Sequence, residues 1–97
     1  MKFKIEIVNY NIKCIDETIL IHNLDNGSVI QLDGTAKFLF TRLTQLLSDG
    51  SLNILDFVND VINQYPEMKG NENLIERDII EFLNELKNYG LIKIHSQ

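Results

Sequence analysis

The chain has 97 residues, of which 44 % are hydrophobic and 24 % charged, and this composition is typical of an ordinary globular protein. We therefore expect one domain over residues 1–97. The formal net charge of −5 argues against binding to nucleic acid or to an anionic membrane surface, because both attract clustered Lys and Arg. The sequence carries no signal peptide and no long apolar run, so it predicts a cytoplasmic protein without a membrane partner.

Alternating apolar residues in the first part of the chain predict β-strands. Those from Phe3 to Ile7 share one parity, whereas those from Tyr10 to Cys14 share the other. Because successive side chains of a strand point to opposite faces, this change of phase near Val8 predicts a bulge, a bend or two separate strands.

A β-hairpin is predicted next. The β-branched segment 18–22 and the segment 28–32 flank Asp25-Asn26-Gly27, and Asn-Gly is typical of tight turns because it tolerates positive φ. Helices follow the second of these strands, so we expect it to form an edge of the sheet. An edge with unpaired N–H and C=O groups is either protected or used to bind a peptide.

After this strand the apolar period changes from about two to about 3.6 residues, which predicts three helices. Their N-termini are predicted to be capped by the side chains of Asp33, Asn53 and Asn73. Each helix has an apolar stripe: Ala36, Leu39, Phe40, Leu43, Leu46 and Leu47; then Ile54, Phe57, Val58, Val61 and Ile62; then Ile75, Ile79, Phe82, Leu83 and Leu86. Gly90 is predicted to end the third helix, with Leu91 folding back onto it. The order of strands, three helices and a short tail predicts an α+β fold.

Residues that could carry catalysis are few. His22 and His95 have no Cys or carboxylate at ligand spacing, and we expect both on exposed strand positions. Cys14 has no identifiable His partner, and a core position is expected for it. The sequence therefore predicts a protein that is not an enzyme and that holds neither a metal nor another cofactor.

Two segments together carry a resemblance to a known family. Leu32-Asp33-Gly34-Thr35-Ala36 resembles the Leu-Asn-x-Thr-Ala motif of the PqqD-like family, whose members are also called RiPP recognition elements. The segment from Asp78 to Leu86, followed by Tyr89-Gly90-Leu91-Ile92, is similar to the family's closing pattern of Asp, Phe-Leu, Leu and Gly-Leu. The resemblance covers about residues 12–92. One departure is Asp33, which stands where the family usually has Asn.

The resemblance implies a winged-helix-like fold, in which a three-stranded antiparallel sheet is followed by three α-helices. It also implies a stand-alone adaptor that binds the leader segment of a ribosomally synthesised precursor peptide by β-strand addition. The bound leader would be presented to a modifying enzyme, such as a leader peptidase, a cyclase or a radical-SAM protein. Lasso-peptide and quinone-cofactor biosynthesis are examples of such pathways.

Eleven residues follow from the resemblance as the candidate peptide-binding site. The strand would contribute its backbone, and the third helix would contribute an apolar wall and two acids: Ser28, Val29, Ile30, Gln31, Leu32, Asp33, Ile75, Asp78, Ile79, Phe82 and Glu85. Core packing is an equally good explanation for Ile79 and Phe82. Val29 should face away from the core, because its parity is opposite to that of Ile30.

Two other functions remain open from the sequence. A winged-helix fold also suits a DNA-binding regulator, although a recognition helix that bears Asp78, Glu81 and Glu85 has the wrong charge to face phosphates. The third alternative is a homodimer that pairs through the same edge strand.

Overall fold

The computed structural model describes residues 2–47 and 49–96. Within these residues the chain forms two antiparallel three-stranded sheets and three α-helices, which confirms the predicted α+β class. In chain order the elements are β1 (Lys2–Ile7), β2 (Tyr10–Ile15), β3 (Thr18–Asn23), β4 (Val29–Leu32), α1 (Gly34–Leu46), β5 (Ser51–Asn53), α2 (Ile54–Gln64), α3 (Glu72–Asn88) and β6 (Ile92–Ser96). A single 3₁₀ turn, Pro66–Met68, lies between α2 and α3.

The predicted hairpin is present in the sheet of order β2-β3-β4. Ile19 pairs with Leu32 and His22 pairs with Val29 across β3 and β4. The turn between these strands contains Gly27 at φ 78°, a left-handed conformation that glycine adopts without strain. Among the described residues β4 pairs with β3 alone, so it is an edge strand as expected.

The second sheet, of order β5-β1-β6, extends the predicted fold. The C-terminal segment, for which a short tail is predicted, is instead the strand β6, which runs antiparallel to β1 from the Phe3–Ser96 pair to the Ile7–Ile92 pair. The change of phase near Val8 therefore separates two strands that belong to different sheets. Local alternation predicts a strand but does not name its partner, so this long-range pairing could not be read from the sequence.

The core lies between the sheets and the apolar stripes of the helices. All three predicted stripes are confirmed, and their most buried members include Phe40, Leu43, Phe57 and Leu86. Burial of each such side chain contributes about 1.5–3 kcal/mol before conformational entropy is subtracted.

The C-terminus of α3 is as predicted. The N–H of Gly90 donates to the carbonyl of Lys87, and the N–H of Leu91 donates to the carbonyl of Leu86. Gly90 has φ 76°, and Leu91 is fully buried. These two bonds form a Schellman motif, in which the residue after the glycine packs back onto the helix.

Of the three predicted N-caps, only Asn53 caps with its side chain, which accepts a hydrogen bond from the N–H of Leu55. Asn73 is wrong as a cap, because α3 begins earlier, at Glu72, with Asn71 in the cap position. Asp33 occupies the cap position of α1, but its side chain makes no capping hydrogen bond. The reason is that other donors bind its carboxylate, as described below.

The core position predicted for Cys14 is also wrong, because this thiol is exposed. Cys14 shares a face with its buried partner Ile19, yet it lies on β2, the other edge of the same sheet. Of the residues of β2, Tyr10 packs against α1, with its ring 5.9 Å from that of Phe40. Parity predicts which face a side chain occupies, whereas burial depends on whether a helix covers that part of the face.

Candidate functional site

The outer edge of β4 presents free backbone groups. The N–H of Asn23 donates to the carbonyl of Ser28 at 2.9 Å, so the backbone of Asn23 faces β4 at this point of the ladder. The N–H of Ser28 donates instead to the side-chain oxygen of Asn26. Hydrogen-bonded and non-hydrogen-bonded pairs alternate along an antiparallel ladder. The register then directs the backbone groups of Ile30 towards β3, and it directs the N–H and C=O of Val29 and Gln31 away from the sheet.

Side-chain burial along β4 follows the predicted alternation. Ile30 and Leu32 are each 7 % exposed, whereas Val29 is 62 % exposed. The expectation that Val29 faces away from the core is confirmed. The edge therefore combines free hydrogen-bonding groups with an exposed apolar side chain.

An open apolar cavity of about 230 Å³ lies beyond the C-terminal end of this edge. It is formed by the start of α1, the end of α2, the 3₁₀ turn and the first half of α3. Its lining residues are Thr35, Leu39, Val61, Tyr65, Glu67, Met68, Ile75, Asp78 and Ile79. Most of this lining is apolar, and the two carboxylates of Glu67 and Asp78 are its charged groups.

The opposite end of the edge is tied to the C-terminus of α3. Asn23 is fully buried, and its amide donates to the carbonyl of Gly90 at 3.1 Å while its side-chain oxygen accepts from the N–H groups of Asp25 and Asn26. The amide of Asn26 also donates to the carbonyl of Tyr89 at 3.3 Å. These bonds hold the β3–β4 turn against the end of α3.

The two connections together place α3 alongside β4 and antiparallel to it. Thr35, just after β4, shares the cavity with Asp78, and Asn26, just before β4, contacts Tyr89. One end of α3 therefore lies near each end of β4, and the strand edge and α3 border one groove as its two walls.

Asp33 lies where the edge meets α1, and its carboxylate is held by two neighbours. The hydroxyl of Thr18 donates to one of its oxygens, and the amide of Gln31 donates to the other at 3.1 Å. The hydrogen bond from Thr18, then that from Gln31, and then the charge of Lys37 lower the pKa of Asp33 below its ordinary value of 3.8. These contacts replace the predicted capping bond.

The five residues of α3 that were predicted to bind the peptide divide into buried apolar residues and exposed acids. Ile75 and Ile79 line the cavity, but they are also buried in the core, and Phe82 is buried without lining the cavity. Asp78 and Glu85 are exposed. Core packing is therefore a role of all three apolar residues, and contact with a ligand remains a prediction for each of them.

Six cavity residues were not predicted: Thr35, Leu39, Val61, Tyr65, Glu67 and Met68. Leu39 and Val61 belong to the apolar stripes of α1 and α2, and Tyr65 directly precedes the helix-breaking Pro66. These signals mark core and boundary positions. The cavity itself forms where elements distant in sequence meet, and no local pattern encodes that meeting.

His22 and His95 are both exposed, as predicted. Within residues 2–47 and 49–96, no three His, Cys, Asp or Glu side chains are grouped in a way that could hold a metal ion. None of the helices that the structure describes is both long and apolar enough to cross a membrane.

The fold and the site together define a small winged-helix-like α+β protein with an open sheet edge beside an apolar cavity. A family model described as coenzyme PQQ synthesis protein D (PqqD) matches residues 18–92. The chain therefore belongs to the PqqD family, as the motifs around Asp33 and Gly90 indicated. The match begins at β3, so β1 and β2 lie outside it.

Among solved structures, the chain is similar to TbiB1 in complex with the TbiA(beta) leader peptide. The TM-score is 0.75 at 19 % sequence identity, and the alignment covers 95 % of this chain and 99 % of TbiB1. This similarity supports the fold over nearly the whole chain, including strands outside the family match. No curated protein sequence matches the chain.

Proposed function

We propose that this protein is a non-catalytic adaptor that binds the leader segment of a ribosomally synthesised precursor peptide. The leader adds as a strand beside β4, with its inward side chains against α3 and the cavity. The bound leader is then presented to an enzyme that modifies or cuts the remainder of the precursor, such as a leader peptidase, a cyclase or a radical-SAM protein.

The observation that carries this proposal is the open edge of β4 beside an apolar wall. Val29 and Gln31 together offer two N–H donors and two C=O acceptors, directed away from β3. Four backbone hydrogen bonds at about 0.5–1.5 kcal/mol net each would contribute about 2–6 kcal/mol. Backbone bonds are tolerant of sequence, so selectivity must come from side chains that enter the cavity.

The comparisons support the same proposal. The matched family is described by a biosynthetic role, the synthesis of coenzyme PQQ. TbiB1, which is similar over 95 % of this chain, is described in complex with a leader peptide. A precursor-peptide partner agrees with both descriptions.

The direct test is titration calorimetry with synthetic peptides that cover the leader regions of short open reading frames beside the gene. We expect at least one peptide to bind with a Kd below about 100 μM, which corresponds to about −5.5 kcal/mol. Failure of every such peptide to reach this affinity would end the proposal. A mobility-shift assay with DNA at low salt is the companion experiment, and a robust shift would favour the regulator instead.

Homodimerisation through the same edge makes a different prediction. A dimer that pairs β4 with its own copy would occupy the groups that a leader needs. Sedimentation at micromolar concentration, with and without the bound peptide, separates the two cases. The adaptor should be monomeric when free, whereas an edge-paired dimer should dissociate as peptide is added.

A further inference from the structure

The wall formed by α3 carries acidic side chains on the side that faces the groove. Asp78 lies at the rim of the cavity, together with Glu67 from the 3₁₀ turn. Glu85 lies seven residues after Asp78, which is nearly two full helical turns, so the two carboxylates share one side of α3. Tyr89, which is 53 % exposed, continues this side towards the β3–β4 turn.

Nearby cations do not neutralise this side. The guanidinium Nε of Arg77 lies 4.0 Å from a carboxylate oxygen of Asp78, and both side chains are more than half exposed. Such a pair is worth little, because water and salt screen it. Glu85 has no ion pair with another described residue. The wall is therefore net acidic as well as apolar.

The spacing of a strand suits these positions. A strand added to β4 alternates its side chains between two faces, and those on the face of Ile30 and Leu32 point towards the helices. Side chains on that face recur every ~6.7 Å. Asp78 and Glu85 are about 10.5 Å apart along the helix axis. Flexible Lys or Arg side chains two or four residues apart on the strand can reach both.

From this geometry, and resting on the proposed function, we infer the chemical class of the bound segment. It is an extended peptide with one apolar side chain that enters the cavity and a basic residue on the same strand face that meets Asp78 and Glu67. A second basic residue on that face meets Glu85. Acidic segments are rejected by the same carboxylates, so the groove selects peptides by charge as well as by shape.

The test is selection of a random twelve-residue peptide library displayed on phage against the purified protein. We expect enrichment of peptides in which Lys or Arg residues lie two or four positions from each other and from an apolar residue. The double variant Asp78→Asn, Glu85→Gln should lose this preference and bind a selected basic peptide roughly three- to tenfold more weakly, since exposed charge pairs contribute modestly. The control variant Glu6→Gln, Glu76→Gln loses the same net charge from β1 and from the opposite side of α3, and it should bind as the wild type does.

The outcomes separate this inference from the proposed function. Enriched peptides that lack basic residues, or equal weakening by the two double variants, would overturn the charge preference and leave strand addition standing. Enriched basic peptides whose binding is unaffected by Val29→Pro would show that the acidic wall recruits peptides without strand addition, and would count against the proposed function. The absence of any enriched peptide would overturn both.

Discussion

Replacement of Val29 by proline tests strand addition at one backbone atom. Val29 is on the edge strand and pairs opposite His22, and the register directs its N–H away from β3. Proline has no N–H, and it is tolerated on edge strands whose N–H faces solvent. Val29→Pro should therefore remove one donor from the binding edge without removing a hydrogen bond from the sheet.

The expected loss of affinity follows from this single donor. A backbone hydrogen bond contributes about 0.5–1.5 kcal/mol net. The ring also occupies space that the leader carbonyl would approach, so we expect a loss of about 1–2 kcal/mol, or about five- to thirtyfold in Kd. The free energy of unfolding should change by less than about 1 kcal/mol.

The assay is calorimetric titration of leader peptide into three matched variants. Val29→Ala keeps the N–H and loses only the exposed side chain, so its Kd should stay within about threefold of the wild type, a difference below 1 kcal/mol. Ile30→Pro removes an N–H that is directed towards β3 and leaves a carbonyl of β3 without its partner, so it should destabilise the fold itself by about 1–3 kcal/mol. Equal leader affinity of Val29→Pro and Val29→Ala would refute strand addition along β4.

Three further predictions concern stability, each read from denaturant unfolding. Phe82→Ala should destabilise the domain by about 3–5 kcal/mol, because the ring is 7 % exposed in the core; a loss below about 1 kcal/mol would contradict that core role. Because the pKa of Asp33 is lowered in the folded state, its ionised carboxylate stabilises the fold at a pH above the ordinary pKa of 3.8. This contribution is lost as the pH falls through the lower pKa of the folded state. The free energy of unfolding of Asp33→Asn should therefore fall less than that of the wild type as the pH is lowered. If both proteins lose the same free energy from pH 5 to pH 2, the contacts of the Asp33 carboxylate do not stabilise the fold. Gly90→Ala should lower the free energy of unfolding by about 1–3 kcal/mol, because alanine is strained at this positive φ. The loss should be larger still, because the added Cβ would lie 2.9 Å from the amide nitrogen of Asn26. Gly70→Ala, at φ +96° with no atom within 4 Å, measures the backbone part alone, so equal losses would show that the contact with Asn26 is unimportant.

Local sequence patterns were enough to predict the secondary-structure elements and the faces that they bury. The apolar period located all three helices, and the Asn-Gly turn located the β3–β4 hairpin, because each depends on residues close in the chain. The parity of Val29 correctly placed its side chain outside the core. The motifs around Asp33 and Gly90 also pointed to the PqqD family, which the family match over residues 18–92 confirms.

How these elements meet depends on contacts between residues that are distant in the chain. The sheet of β5, β1 and β6 joins the two ends of the chain, and the cavity joins α1, α2, the 3₁₀ turn and α3. Two single residues also show that local patterns do not predict tertiary contacts. No helix in the described part of the chain covers Cys14, and the carboxylate of Asp33 accepts a hydrogen bond from Thr18 rather than from the N–H groups of α1. Patterns of propensity and parity act over a few residues. The edge, the cavity and the acidic side of α3 become one surface only when distant segments pack together, and the candidate site depends on that packing.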